Sequence, residues 1–232
     1  MRTGCIILAR YNSSRLPGKA LMLLDKKPLL QHVYDALRTV FEPENLVVAT
    51  SAEATDDAIA DFCERNQISC YRGDLTNVSE RFISAAETYH FDYAMRINGD
   101  NLFVALDVVK KMIDEAQPTI DFYSNVPERT FPYGMSAELV KTQFYRGLMN
   151  EINASPQHKE HVTLYLYDHP EIGKRKYFYN QDVPEASGLH LSVDTPADAD
   201  FAIQMLQHLA SPLYTNSLTD IVKTYHQLKT HE

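Results

Sequence analysis

The chain is poor in the residues that several common chemistries require. It has three cysteines, Cys5, Cys63 and Cys70, and they form neither a CxxC pair nor a metal-ligand pattern. A disulfide framework is therefore not expected, and the thiols read as reduced residues of a cytoplasmic protein. Cys5 lies in an apolar run and reads as a small buried hydrophobe. Zinc spacing of His and Cys is missing. No run approaches the ~20 apolar residues of a membrane helix. Only about five apolar residues follow Met1-Arg2-Thr3, too few for the core of a signal peptide. Cations are scarce as well: 22 Lys and Arg stand against 31 Asp and Glu, a net charge of -9. That balance argues against a nucleic-acid polymer, whose binders need broad basic surface. A small anion held by a local cluster stays compatible with it. The phosphate fingerprints G-x-x-x-x-G-K-[ST] and G-x-G-x-x-G are both absent. No Ser or Cys is set out with His for a nucleophilic triad. Repeats, low-complexity tracts and clear linkers are also lacking.

What is present is an ordinary globular composition, 44% hydrophobic and 23% charged over 232 residues. That length supports a substantial core without disulfide or metal staples. Short apolar runs alternate with helical patterns through the first half. Gly4 to Ala9, Leu46 to Ala49, Ile68 to Tyr71 and Tyr93 to Ile97 read as strands. Helices are predicted from Pro28 to Arg38, Thr55 to Asn66, Asn77 to Tyr89 and Leu106 to Ala116. Asn77 with Glu80 resembles a capping box. Such alternation predicts an α/β fold, a mostly parallel sheet sandwiched by helices. Beyond Pro118 the pattern loosens. Residues 120–124 and 189–193 read as strands, and 141–153 and 158–168 as helices. Thr195-Pro196-Ala197-Asp198 opens a further helix, and a last one runs from about Ser217 to Leu228. Residues 1–232 are expected to form one domain with a small lobe at about 120–185.

Three groups of residues carry candidate chemistry. The first is Ala9-Arg10-Tyr11-Asn12-Ser13-Ser14-Arg15-Leu16-Pro17-Gly18-Lys19, which puts three cations in a short loop behind an apolar strand. Exposed backbone N–H groups with nearby Arg and Lys can hold phosphate oxygens. Taken alone, the loop fits a phosphate cradle and a solvated turn equally well. The second is a pair of acids, Asp100 and Asp194, each at the mouth of a strand pattern. Two such carboxylates can share a Mg²⁺ with a nucleotide's phosphates, although turn chemistry and helix starts also favour acids there. The third is Arg72-Gly73-Asp74, where Arg72 suits a phosphate or carboxylate and equally a surface ion pair. In a parallel sheet, ligands bind beyond the carboxyl ends of the strands. The cationic loop, Thr50-Ser51, Arg72 and Asp100 all fall at such ends, and that convergence favours the cradle. Glu160-His161-Val162-Thr163 is also singled out, with His161 read as structural.

These residues resemble the bacterial cytidylyltransferases: CMP-Kdo synthetases, CMP-sialic acid synthetases and, most closely, SpsF-like spore coat polysaccharide enzymes. The resemblance runs from the 9–19 segment through Val48-Ala49-Thr50-Ser51, Asp56-Asp57, Tyr71-Arg72-Gly73 and Arg96-Ile97-Asn98-Gly99-Asp100-Asn101. It continues through Arg129-Thr130-Phe131-Pro132-Tyr133-Gly134, Glu160-His161-Val162-Thr163 and Val193-Asp194-Thr195-Pro196-Ala197-Asp198. It implies a nucleotide-diphospho-sugar transferase (Rossmann-like) fold, CTP as co-substrate, Mg²⁺, release of pyrophosphate and a homodimer built on the 120–185 lobe. Arg10, Ser14, Arg15 and Lys19 would then hold the phosphates, with Thr50 and Ser51 near the base or ribose. Ala9, Arg72 and Asn98 complete the nucleotide-binding set. Arg15, Lys19 and Asp100 would be catalytic, and Asp100 and Asp194 the metal ligands. The implied product is a CMP-sugar from a sugar acid acceptor, for surface polysaccharide or glycan synthesis.

Alternatives are a polyol phosphate or phosphonate acceptor, a nucleotide-sugar glycosyltransferase, and a nucleotide-binding module without turnover. The glycosyltransferase reading lacks support in Asn98-Gly99-Asp100, which is short of the first acid of an Asp-x-Asp motif. The chain departs from the SpsF-like pattern at Leu102-Phe103, at Tyr133 and at His190. Those departures concern the acceptor, for which Arg72, Arg96 and Arg129 are candidate cations.

Overall fold

A computed structural model describes residues 1–230. The first strand, β1 (Thr3–Leu8), is buried almost throughout, as expected for a strand covered on both faces. A cationic loop and a two-strand hairpin, β2 (Leu23–Leu24) and β3 (Lys27–Pro28), lead into α1 (Leu29–Leu37). There follow β4 (Leu46–Ser51), α2 (Asp57–Arg65), β5 (Ser69–Gly73), α3 (Val78–Thr88), β6 (Tyr93–Asn98) and α4 (Leu106–Asp114). The second half supplies β7 (Phe122–Ser124), β8 (Glu138–Lys141), α5 (Thr142–Gly147), α6 (Met149–Ile152), α7 (Pro156–Glu160) and α8 (Leu164–Asp168). It closes with β9 (Arg175–Tyr177), α9 (Pro196–His208) and α10 (Leu218–Lys229).

Seven strands form one sheet in the order β5-β4-β1-β6-β8-β7-β9. Every strand but β8 runs the same way, and β8 is antiparallel to both of its neighbours. Side chains alternate between two apolar layers, as strand geometry requires. Cys5 and Ile7 face the layer covered by α1, α2, α4 and α9. Ile6 and Leu8 face the layer built on α3, α5, α6 and α8. The expected mostly parallel α/β sandwich is therefore present. Residues 122–177 place three of their strands in this same sheet.

Helix starts follow their capping residues. Thr195 and Asp198 form a reciprocal capping box, with Pro196 in the first turn. Asn77 caps α3 by accepting from the Glu80 N–H at 3.0 Å. The other half of that predicted box is missing, because the Glu80 carboxylate engages Ser84 and Arg146 instead.

Three expectations need correction. Residues 189–193 are not a strand: they make one isolated bridge, Tyr133 to His190. Leu191 and Val193 are buried, which accounts for the apolar alternation, yet the partner is a turn. The predicted helix 158–168 is broken at His161, whose backbone is non-helical, and the buried Thr163 beyond it bonds Glu138. The 141–153 pattern likewise divides at Leu148 into α5 and α6. β8 and β9 have no clear sequence signal, since one opens on an acid and the other reads Arg-Lys-Tyr.

Candidate active site

The cationic loop leaves β1 where Ala9 N–H still pairs with the Ala49 carbonyl at 3.2 Å. It closes on itself through Gly18 N–H to Tyr11 O at 2.8 Å, and Gly18 adopts φ +76°, which a glycine takes without strain. Leu16 is buried beneath it. A second tie comes from Asp56, which the sequence reading did not single out as a site residue. Its carboxylate accepts from Tyr11 N–H at 2.7 Å and from Ser51 N–H at 2.9 Å. The exits of β1 and β4 are thus clamped by one fully buried side chain. Burial alone would raise the Asp56 pKa, but hydrogen bonds from Ser51, Tyr11 and Thr50 hold it below its ordinary value.

This clamp holds the loop where its cations meet two acids. Lys19 Nζ lies 2.6 Å from Asp100 Oδ2, 2.9 Å from Asp194 Oδ1 and 3.1 Å from the Val193 carbonyl. Arg15 reaches the same Asp194 oxygen at 3.0 Å. Asp100 is delivered by β6 through Gly99, whose N–H bonds Leu8 O at 2.8 Å. A side chain on Gly99 would crowd Ala9 and the Leu8 carbonyl at 3.2 Å. Asp194 precedes the α9 capping box, and its own N–H donates to Asp198 at 3.1 Å. Burial pushes the Asp194 carboxyl up, yet its hydrogen bond and charge pairing with Lys19, with help from Ser192 and Arg15, bring it below the ordinary value.

The remaining predicted residues lie around this cluster with other partners. Arg10 pairs with Glu160 at 3.2 Å. Ser14 is exposed beside Arg15. The side chains of Thr50 and Ser51 are buried. Arg72 is held by the Ser51 and Glu53 carbonyls and by Asp57 at 2.7 Å. Asn98 accepts from Arg96 Nη2 at 2.8 Å. Arg96 is itself largely buried against Glu138.

A second wall rises beside Asp194. His190 Nε2 is 3.1 Å from Ser192 Oγ, which donates to Asp194 Oδ2 at 2.9 Å. The Tyr133 ring lies 5.8 Å from the His190 ring, and the Arg129 guanidinium stacks 4.6 Å from the Tyr133 centroid. Arg129 also reaches Ser136 Oγ at 3.4 Å, and Ser136 O accepts from Asn101 Nδ2 at 3.1 Å. The backbone at Glu128 and Arg129 is left-handed, with φ 60° and 48°. Such conformations in non-glycine residues concentrate at functional sites. A separate cavity of about 650 Å³ lies behind Leu102 and Phe103. None of the four clustered residues lines it.

Two carboxylates that already share one cationic group make a fitting seat for a divalent ion. Asp100 and Asp194 offer hard oxygen donors, and Mg²⁺ is commonly held by one or two carboxylates with substrate phosphates completing its shell. No set of three or more metal-ligating side chains occurs among the described residues, so water and substrate oxygens would complete that shell.

A mostly parallel α/β sheet with clustered cations and paired acids beyond its strand ends defines a nucleotide-handling transferase. Comparison with known proteins narrows the class. Residues 4–226 match the cytidylyltransferase family. The spore coat polysaccharide biosynthesis protein SpsF of Bacillus subtilis is 30% identical over 83% of this chain and 81% of its own length. A 3-deoxy-manno-octulosonate cytidylyltransferase of Pelobacter propionicus is 31% identical over 52% of this chain and 46% of that protein. A solved cytidylyltransferase from Leptospira borgpetersenii superposes with a TM-score of 0.89 at 27% identity, covering 99% of this chain and 96% of the other. The chain belongs to the cytidylyltransferase family and is a nucleotidyltransferase.

Proposed function

We propose that the enzyme transfers a cytidylyl group from CTP to an oxygen of a sugar acid, forming a CMP-sugar and releasing pyrophosphate. The observation that carries this reading is the Arg15–Lys19–Asp100–Asp194 cluster at the carboxyl ends of β1 and β6. The acceptor hydroxyl forms a new bond to the α-phosphorus, and the bond to the β-phosphate bridging oxygen breaks. The hydroxyl proton is released to solvent. Arg15 and Lys19 supply positive charge for the triphosphate and then for the departing pyrophosphate. Asp100 and Asp194 would hold a Mg²⁺, which would neutralise charge on the phosphates.

The acceptor's own anion needs a separate cation. Of the three candidates, Arg72 is held by Asp57 and two carbonyls, and Arg96 by Glu138. The Arg129 guanidinium stacks on Tyr133 and, among the described residues, has the Ser136 hydroxyl as its one side-chain hydrogen-bond partner. A guanidinium offers a planar fork that suits a carboxylate, so we assign Arg129 to the acceptor carboxylate.

The test is pyrophosphate release with each of the four nucleoside triphosphates, against sugar acids, polyol phosphates and phosphonates, with Mg²⁺ present and chelated. Release from CTP with a sugar acid and Mg²⁺ is expected. Release only with a phosphorylated acceptor moves the assignment to that class, and no release under any combination overturns catalysis. The family resemblance also carries the proposal of a homodimer, checked by sedimentation.

A further inference from the structure

The end of β6 carries a buried polar network that the reaction as described does not use. Arg96 lies directly opposite Glu138 in the β6–β8 register, and the two are paired. Glu138 is 2% exposed. Its Oε1 accepts from Thr163 Oγ1 at 2.6 Å and from Tyr167 OH at 2.9 Å. Tyr167 OH meets Ser124 Oγ of β7 at 2.6 Å. Side chains from β6, β7, β8 and the Thr163–Tyr167 segment thus fix one guanidinium in place.

That guanidinium dictates the orientation of Asn98. Arg has donors only, whereas an Asn amide has a donor end and an acceptor end. Asn98 Oδ1 accepts from Arg96 Nη2 at 2.8 Å, so its amino group is turned away from the network. Among the described residues no protein acceptor takes the Nδ2 hydrogens of this half-buried side chain. Asn98 sits opposite Leu8 of β1, one residue before the cationic loop begins, and two residues before Asp100.

We infer that the Glu138–Arg96 pair is a positioning device that locks Asn98 with its amino group toward the nucleotide, as a hydrogen-bond donor to one of the nucleotide's oxygens. This rests on the CTP reading and adds a residue-level cause for it. The lock also gives the Glu160–Thr163 motif a role. Glu160 holds Arg10 of the phosphate loop, while Thr163 anchors the network beneath Asn98.

Two substitutions separate donation from mere support of Arg96. Asn98→Asp keeps an oxygen for Arg96 but presents an oxygen, not N–H, to the ligand. Asn98→Ala removes both ends. Thermal denaturation and calorimetric titration with CTP, each with and without Mg²⁺, read the two roles apart. The inference expects Asn98→Asp to melt at or above the wild type and Asn98→Ala below it. Both are expected to bind CTP about tenfold or more weakly, the loss of roughly one hydrogen bond. Wild-type affinity in Asn98→Asp, with or without metal, overturns the donor role. A wild-type protein that does not bind CTP overturns the nucleotide reading itself, which the same titration reports separately.

Discussion

Lys19 donates to Asp194 across 2.9 Å while the same ammonium lies 2.6 Å from Asp100. One side chain from the β1 exit therefore joins carboxylates from two distant segments. Its removal leaves two acids facing each other without their shared cation. Lys19→Ala is expected to lower kcat for pyrophosphate release by about 10²–10³, the usual cost of one well-placed charge-stabilising donor. Circular dichroism of the variant should match the wild type. Activity within a few-fold of normal would remove Lys19 from the reaction.

Asp56 makes its own prediction, because its work is structural and pH-dependent. Asp56→Asn leaves one of the two N–H groups it ties, of Tyr11 and Ser51, without its acceptor, at a cost of about 1–3 kcal/mol. The folded-state pKa lies below the ordinary 3.8. Its stabilisation is accordingly complete above about that pH and is lost as the pH falls through the lower, folded value. Melting temperatures measured between pH 7 and pH 2 should show an acid-side decline that is shallower in the variant. The variant should also show a raised KM for CTP, since the exits of β1 and β4, which the proposed function assigns to the nucleotide, lose their clamp.

The acceptor role proposed for Arg129 predicts an effect on one substrate and not the other. Arg129→Ala is expected to raise KM for a sugar acid by roughly 10- to 100-fold, the loss of a charge-assisted hydrogen bond. KM for CTP should be unchanged. Steady-state kinetics with each substrate varied in turn decide the matter. An equal rise in both constants would place Arg129 outside the acceptor site.

Gly134 supports the second wall from behind. It adopts φ +91°, and an added Cβ would stand 2.4 Å from the Ser192 nitrogen. Gly134→Ala is expected to cost about 1–3 kcal/mol in stability. It should also lower turnover, because Ser192 bonds Asp194. Chemical denaturation and activity assays together read both effects. A variant of normal stability and turnover shows that the turn can yield.

The positions of the cationic loop and Asp100 were legible because each follows an apolar run that forms a parallel strand, and such strands deliver their exits to one edge. Asp194 follows an apolar run that is no strand, and Lys19 meets it all the same. The core followed from the same runs: Ile6, Ile7, Val47 and Val48 are all fully buried. Asp56 was illegible in this role because its two partners, Tyr11 and Ser51, meet only when β1 and β4 pair. Glu138 was hidden for a similar reason, since an acid at the head of a short strand carries no sign of burial. The apolar alternation of Leu189 to Val193 marked burial correctly and pairing wrongly, because periodicity records which side is dry and not what lies beside it. β9 escaped because Arg-Lys-Tyr has no apolar period to detect.

The reversal of β8 has a consequence for how such an enzyme can change. Six strands send their trailing loops to the active edge and β8 its leading one, so residues 125–137, the trailing loop of β7 and the leading loop of β8, lie at that edge. Under the proposed function, the cationic loop for CTP and residues 125–137 for the acceptor are separate stretches of chain. Remodelling 125–137 alone would then offer a route to a new acceptor with the CTP loop inherited unaltered, a division that lends itself to loop grafting between relatives.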